Sequence, residues 1–429
     1  MRNLEAVEIG LREALFRDAC GILEDLLNDP ALPVPEDYGR HGEKCHPGRP
    51  KEPLTLFGPA ALRRNYYYST EQEHGRAPLD LALGLWAGYS PGALRVLCRA
   101  AARLPFDTGA ADLKAYCGLE VDGRQIQRIA REMGPRVRAI QQQLPPFKHA
   151  SGPIPIMYIA VDGTGVPMRP EELQGRAGKQ PDGSAKTREA KLACVFTQTT
   201  VDEEGLPLRD FESSSYVAGF EEAANFMVRA RQEALRRRLA AALLSVLLGD
   251  GAAWIWEQGA KCFPMAFQIL DLYHALEHLL ELTRLLEPDP TLAKALWRTW
   301  HEQLLADEVE EVLRQAQEKR CQLGGLTAES AGKQIAYFEH NQSRMLYGTY
   351  RALGFFYGSG VVEAGCKTVI GARCKGSGML WSEPGATHVL DLRCALYGNQ
   401  FDQIWDRLNQ SDYLRIRIAE PPDQSEVAA

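Results

Sequence analysis

The feature that most restricts this chain is a set of three acids, Asp162, Asp250 and Glu363, each held in a short glycine-flanked segment. The segments read IAVDGTGVPM, LLSVLLGDGAAWIW and YGSGVVEAGCK, and the first two acids follow apolar runs that read as buried strands. A carboxylate at the mouth of an apolar strand is poorly solvated and is tolerated mainly where it is paired, protonated or bound to a cation. Three such groups in one chain point to a magnesium site, because that ion favours hard oxygen ligands.

The elements around the acids follow a definite order. MYIAVDG is a strand ending in Asp162, KLACVFTQTTVDEEG is a second strand closed by a polar turn, and residues 209–220 form a third, which together read as a meander. A helix is expected from Glu221 to about Leu239, then SVLLGD as a strand delivering Asp250, WIWEQGAKCF as a short helix, and PMAFQILD as a fifth strand ending in Asp271. Three meander strands, a helix, a strand, a helix and a strand is the order of an RNase-H-like α/β fold, in which the first and fourth strands are neighbours and Asp162 meets Asp250. The stretch from about His274 to His340 is helical and amphipathic, and the interval from Asp250 to Glu363 is too long for a loop, so a helical insertion is expected there. Glu363 falls on or just before the helix VVEAGCKTVIGARC. Lys367, four residues later on the same face, would neutralise a phosphate or pair with an acid.

Composition limits the rest. A length of 429 residues exceeds one compact core, so two or three domains are expected. No apolar run is long enough to span a bilayer, and MRNLEAVEIGLREALF has acids where a signal peptide carries cations, so a cytoplasmic protein without membrane contact is expected. The ten cysteines form no CxxC pair, which argues against a disulfide framework and a cysteine zinc site. With a net charge of −7, any nucleic-acid surface must be local.

Local basic segments exist. Between Arg40 and Arg64 the cations Arg40, Lys44, Arg49, Lys51, Arg63 and Arg64 face only Glu43 and Glu52. The GRPK core, Gly48 to Lys51, resembles the extended element with which flexible arms enter an A·T-rich minor groove; a Pro/Gly linker solvated by its charges is the competing reading. The TLFGPAALRRNYYYS segment alternates as a small β unit, with tyrosines that stack on bases or pack the two faces of a strand. From Pro78 to about Val137 the pattern is helical: Ser90 caps SPGALRVLCRAAARL, Asp107 can cap GAADLKAYC, Gly118 makes a turn, and VDGRQIQRIAREMG is a second helix bearing Arg124, Gln125, Gln127, Arg128 and Arg131. That is the plan of a helix-turn-helix reading head, with plain helical packing as the competing account. Arg229, Arg231, Arg236, Arg237 and Arg238 either hold a phosphate backbone or solvate a helix end. His274 and His278 stand i, i+4 beside Asp271, but Ala275 occupies the place of a zinc protease's glutamate. Trp254 and Trp256 either stack on a flipped base or pack in the core.

The blocks GDGAAWIW, FQILDLYHALEHL and YGSGVVEAGCKTVIGARCKGSGMLWSEPGATHVLDLRCALYG resemble those of bacterial insertion-sequence transposases of the Kra type, a DDE family allied to the Mutator-like group. The resemblance runs from Tyr66 to about Leu408 and implies an RNase-H-like enzyme that cuts the ends of a mobile element and joins them to target DNA. It places the metal-binding acids at Asp162, bridging two Mg2+ ions, and at Asp250 and Glu363, each holding one, with Mn2+ able to substitute. It makes Asp271 and His274 an accessory D-x-x-H element, with His274 near the scissile phosphate, and implies a homo-oligomer on DNA. Relatives often carry cysteine pairs around the tyrosine block, but Ser69 and Gln72 stand where thiols would be, so an N-terminal zinc does not carry over. The DNA contacts expected are Arg49, Lys51, Arg124, Gln125, Arg128 and Lys367. Two other readings stay open: a nuclease or resolvase without strand transfer, and a catalytically silent DNA-binding protein derived from a transposase. The expected divisions are 1–80 (N-terminal helix, basic arm and β unit), 81–145 (helix-turn-helix-like region), 146–283 (first part of the core), 284–340 (helical insertion), 341–410 (core completion) and 411–429 (tail).

Overall fold

The computed structural model describes residues 3–32, 34, 37–69, 74–145, 154–178, 180, 183–358 and 360–408. The expected tail 411–429, Gln72, Ser359 and most of the joint before Ile154 lie outside the described residues. The chain divides into two compact units, Met1–Ala130 with Asp402–Ala429, and Arg131–Phe401. Among the described residues no helix is long and apolar enough to cross a membrane.

The first unit opens with α1 (Leu4–Leu27), capped by Asn3, whose side chain accepts from the Glu5 N–H. A three-stranded antiparallel sheet follows: β1 (Glu43–Lys51), β2 (Leu62–Ser69) and β3 (His74–Arg76), with β2 central. The GRPK segment is therefore not a free arm. Arg49 pairs across from Arg64 and Lys51 from Leu62, after a bulge between His46 and Arg49. The tyrosine block packs: Tyr67 is buried, and Arg49 lies over the Tyr66 ring at 4.6 Å. The unit's helices include α2 (Pro91–Arg103), α3 (Phe106–Cys117) and the start of α4 (Gly123–Gln143). Ser90 caps α2 as expected, accepting from Ala93 at 3.2 Å. Asp107 does not cap α3; Pro105 holds that position and Asp107 lies in the first turn. Gly118 ends α3 with φ 68°, a conformation that favours glycine. Helix α4 runs on through Pro135 to Gln143, beyond the end expected near Val137.

The second unit is a mixed α/β assembly around a five-stranded sheet. Its strands are β4 (Ile154–Pro167), β5 (Thr187–Gln198), β6 (Ser215–Gly219), β7 (Ala242–Gly249) and β8 (Phe267–Leu270), in the spatial order β6-β5-β4-β7-β8. β4, β5 and β6 form an antiparallel meander, whereas β7 runs parallel to both β4 and β8. The first and fourth strands are thus neighbours. Residues Met157 to Val161 and Val246 to Leu248 are buried throughout, the continuous apolar pattern of strands covered on both faces. Between the strands lie α5 (Ala223–Arg236) and α6 (Ala253–Cys262). After β8 the chain is helical, with α7 (Leu272–Leu286), α8 (Pro290–Leu305), α9 (Val309–Arg320) and α10 (Gly325–Asn341). Then come α11 (Gly360–Gly365), which continues as a π-turn over Cys366–Gly371 and a last turn Ala372–Cys374, then α12 (Glu383–Tyr397) and α13 (Phe401–Leu408).

Helices α4 and α12 meet in backbone contact at Gly134. A Cβ there would stand 2.7 Å from the Cα, Cβ and carbonyl oxygen of His388. One helical turn on, Arg138 Nε donates to Asp391 Oδ1 at 2.7 Å and fixes the same pair of helices. Gly134→Ala gains about 1 kcal/mol of helix propensity, but overpacking against backbone that cannot rotate aside costs about 1–3 kcal/mol. A net loss of stability is expected, read as a lower denaturant midpoint at unchanged slope.

Candidate active site

The parallel pairing of the three strands stops in step, although β4 itself continues past the end expected at Asp162 to Pro167, paired with β5. Val161 pairs with Gly249, and Gly249 with Leu270, so the next residue on each strand is an acid: Asp162, Asp250 and Asp271. This row lies at the carboxyl ends of parallel strands, where open α/β sheets place their ligands.

Each acid has its own local support. Asp162 Oδ1 accepts from the Gly163 N–H at 2.6 Å, and the buried Cys366 thiol hydrogen-bonds to the same carboxylate. Burial raises the Asp162 pKa above its ordinary value, and the negative charge of Asp250 acts in the same direction; Cys366, Gly163 and His274 oppose it. Asp250 turns onto the chain that follows, with Oδ1 accepting from Ala252 N–H at 3.0 Å. Gly251 makes that turn with φ 99°, and the Tyr337 hydroxyl of α10 donates to the Asp250 carbonyl at 3.0 Å. Asp271 is fully buried; its N–H donates to Gly249 O at 2.8 Å, and its side chain caps α7 by accepting from His274 N–H at 2.7 Å.

Glu363 arrives from the other side, in the first turn of α11. The π-turn just beyond it is a form that favours functional positions because it re-aims side chains within a helix. Arg393 of α12, fully buried, donates to the carbonyls of Val369, at 2.5 Å, and of Thr368, so the displaced carbonyls of the π-turn have a partner. Ligating atoms of Asp271, His274 and Glu363 lie within 4.8 Å of one another, a grouping able to hold a metal ion. Among the described residues neither Asp162 nor Asp250 belongs to that grouping, so the expected triad with Glu363 is not gathered within the same distance; the two acids stand on neighbouring strands, and paired carboxylates there repel unless a positive charge lies between them.

The expected DNA contacts are placed as follows. Lys367 is 81% exposed with Nζ 3.7 Å from Glu363 Oε2. In the first unit Lys51 is paired with Asp80 at 2.7 Å, and Gln125 closes a reciprocal capping box with Asp122, at 2.7 and 2.8 Å. Arg124 and Arg128 are exposed on α4, Arg128 reaching the Tyr89 hydroxyl at 3.3 Å. The arginines of α5 do not form a phosphate-binding face. Arg229 pairs with Glu221 at 2.7 Å, buried Arg236 with Glu233 at 2.8 Å, Arg231 donates to the Cys262 carbonyl, and buried Arg237 to that of Ser213. His278 stacks on Tyr337 at 3.7 Å and bonds to Gln334 at 2.6 Å, a structural role. Trp256 is buried, and Trp254 packs edge-on to Phe226. Sequence reasoning missed Cys366, Tyr337 and Arg393. Only Cys366 had a local signal, its position three residues after Glu363 on one helical face.

No protein-family model matches the chain, and no curated protein matches it. Among solved structures it is similar to the Drosophila P element transposase in its strand transfer complex, at 10% sequence identity, covering 77% of this chain and 83% of that chain, with a TM-score of 0.28. A likeness this loose assigns neither fold nor function.

The raised pKa of Asp162 has a definite sign. An acid bound more tightly to its proton in the folded state stabilises the fold at low pH, and that contribution is lost as pH climbs from the ordinary carboxylate value, about 3.9, through the raised one. Asp162→Asn should therefore raise the metal-free melting temperature at neutral pH, with the gain shrinking to nothing below about pH 4. Thermal melts across pH in a chelator check this; an unchanged or lower melting temperature at neutral pH would show that Asp162 is not held under electrostatic stress.

Proposed function

We propose that the chain is a DDE transposase, which cuts the ends of an insertion sequence and joins their 3′ ends to target DNA. The observation that carries the reading is the matching register of Asp162 and Asp250 beside neighbouring parallel strands, in a sheet ordered as an RNase-H-like fold would be, with Glu363 in the first turn of α11. The three sequence blocks that hold Asp250, Asp271 with His274, and Glu363 resemble those of the Kra-type insertion-sequence enzymes, which supports the same assignment.

Two bound Mg2+ ions would supply activation of the attacking oxygen and stabilisation of the leaving one. Asp162, Asp250 and Glu363 would hold the ions. The chain's own residues do the rest. Cys366 and Gly163 orient the Asp162 carboxylate through hydrogen bonds, and Tyr337 steadies the turn that presents Asp250. His274, half-buried at the start of α7, would lie near the scissile phosphate and help to position it. Lys367, exposed one turn beyond Glu363, offers a cation to a neighbouring phosphate. The exposed face of α4 with Arg124 and Arg128 would read the element's ends, and two copies would bring a pair of ends together.

Asp162→Asn, Asp250→Asn and Glu363→Gln should each abolish cleavage of the element's own ends while DNA binding persists, because each removes a ligand's charge with little change of shape. Mn2+ should replace Mg2+, and Ca2+ should support binding without cutting. Cleavage that survives exhaustive chelation would refute the metal mechanism, and cleavage without joined product would identify a nuclease instead. In the full chain, Arg124→Ala with Arg128→Ala should weaken binding of terminal DNA and lower its salt dependence by up to about two phosphate contacts. Unchanged binding would move recognition elsewhere.

A further inference from the structure

Asp271 and His274 are presented together by the first turn of α7, the aspartate capping the helix through the histidine's own N–H at 2.7 Å. The neighbouring Leu272 N–H donates to the Tyr357 carbonyl at 3.0 Å, which ties this turn to the segment leading into α11. The two segments touch closely: a Cβ on Gly358 would lie 2.8 Å from Tyr273 Cε2. Glu363 follows in the first turn of α11, which completes a cluster whose ligating atoms are all within 4.8 Å of one another.

The geometry points to a second, chemically distinct cation position built from Asp271, His274 and Glu363, which takes a transition-type divalent ion such as Mn2+ in preference to Mg2+ and shares Glu363 with the Asp162–Asp250 position. The inference rests on the metal-dependent reading of the site proposed above. Donor chemistry separates the two positions. Asp162 and Asp250 offer oxygen alone, which suits Mg2+, whereas an imidazole nitrogen shifts preference toward Mn2+, Fe2+, Co2+ and Zn2+. Charge agrees with this, because Asp162, Asp250, Asp271 and Glu363 bring four acids to one region of the unit. The helix cap also holds the Asp271 carboxylate in a fixed orientation, so the position is partly formed before an ion arrives.

Pulsed EPR of Mn2+ added to the full chain without DNA tests the assignment directly. Wild-type protein should show imidazole nitrogen couplings to bound Mn2+, and these should change on labelling with 15N-histidine. His274→Gln should remove them and weaken one Mn2+ site more than about a hundredfold, beyond the roughly 10–100-fold that loss of a ligand's supporting partner costs. Asp162→Asn should keep them. If His274→Gln fails to fold, Asp271→Asn, whose side chain can still cap the helix, should retain the fold and weaken the nitrogen-coupled site. Bound Mn2+ without nitrogen coupling, or coupling that persists in His274→Gln, would overturn the second position and leave the oxygen-only site untouched. Failure to bind any divalent ion would sink both.

Discussion

The parallel pairing of β4 with β7 and of β7 with β8 is the constraint on which the site depends. Adjacent strands lie about 4.8 Å apart, so acids at matching register are held at a separation the fold dictates. Two unit charges about 5 Å apart repel by roughly 3 kcal/mol at an effective dielectric of 20. Burial is the main cause of the raised Asp162 pKa, and the Asp250 charge adds a smaller push in the same direction. The buried strands beneath supply the apolar stability that keeps the carboxylates in place. A site of this kind is a local loss of stability accepted for function, which a bound cation relieves.

The helices beyond β8 complete that site rather than merely extend the chain. Tyr337 belongs to α10, far along the insertion, yet its hydroxyl reaches the Asp250 carbonyl, and its ring fills the space that a side chain at position 251 would need. Arg393 belongs to α12 and acts from behind, on the π-turn that follows Glu363. Thus Asp250 and Glu363 are each steadied by a helix remote in sequence. Damage to either helix would misplace a carboxylate without touching it.

Much of this was legible in the sequence because burial on two faces leaves a strong signal. The runs before Asp162 and Asp250 are apolar without alternation, which marks central strands; the end before Asp250 was legible, whereas β4 continues past Asp162 to Pro167 because its glycine-containing continuation pairs with β5. The third strand was legible only roughly: residues 209–214 read as strand but form a turn in which Asp210 accepts from Thr197 and Thr199, leaving β6 to begin at Ser215. Side-chain hydrogen bonds of that kind compete with strand pairing and carry no periodicity. The partners of Arg236 and Arg237 were hidden for a different reason. A basic run looks solvent-facing until the acid or carbonyl that meets it is known, and buried Arg237 meets the carbonyl of Ser213, which the intervening helix α5 separates from it in sequence. Gln125 illustrates the same limit at short range, since the Asp122-x-x-Gln125 spacing is a capping box and equally a polar face of a reading helix.

These pairings also change what the basic segments of the first unit can do. Binding to a nucleic-acid backbone draws its strength from cations that displace counterions, and a cation already neutralised displaces fewer. Lys51 and Arg64 share Asp80, Arg76 is paired with Glu43, and Arg49 lies over Tyr66 within a paired strand, so the basic segment is largely committed to holding its own sheet together. Among the described residues the exposed Arg124 and Arg128 of α4 are under no comparable carboxylate restraint. Under the proposed function, those two arginines would offer a DNA end few phosphate contacts, which favours geometric reading over strong general adhesion. That fits a chain whose net charge is −7, in which indiscriminate attraction to nucleic acid is opposed by the rest of the molecule.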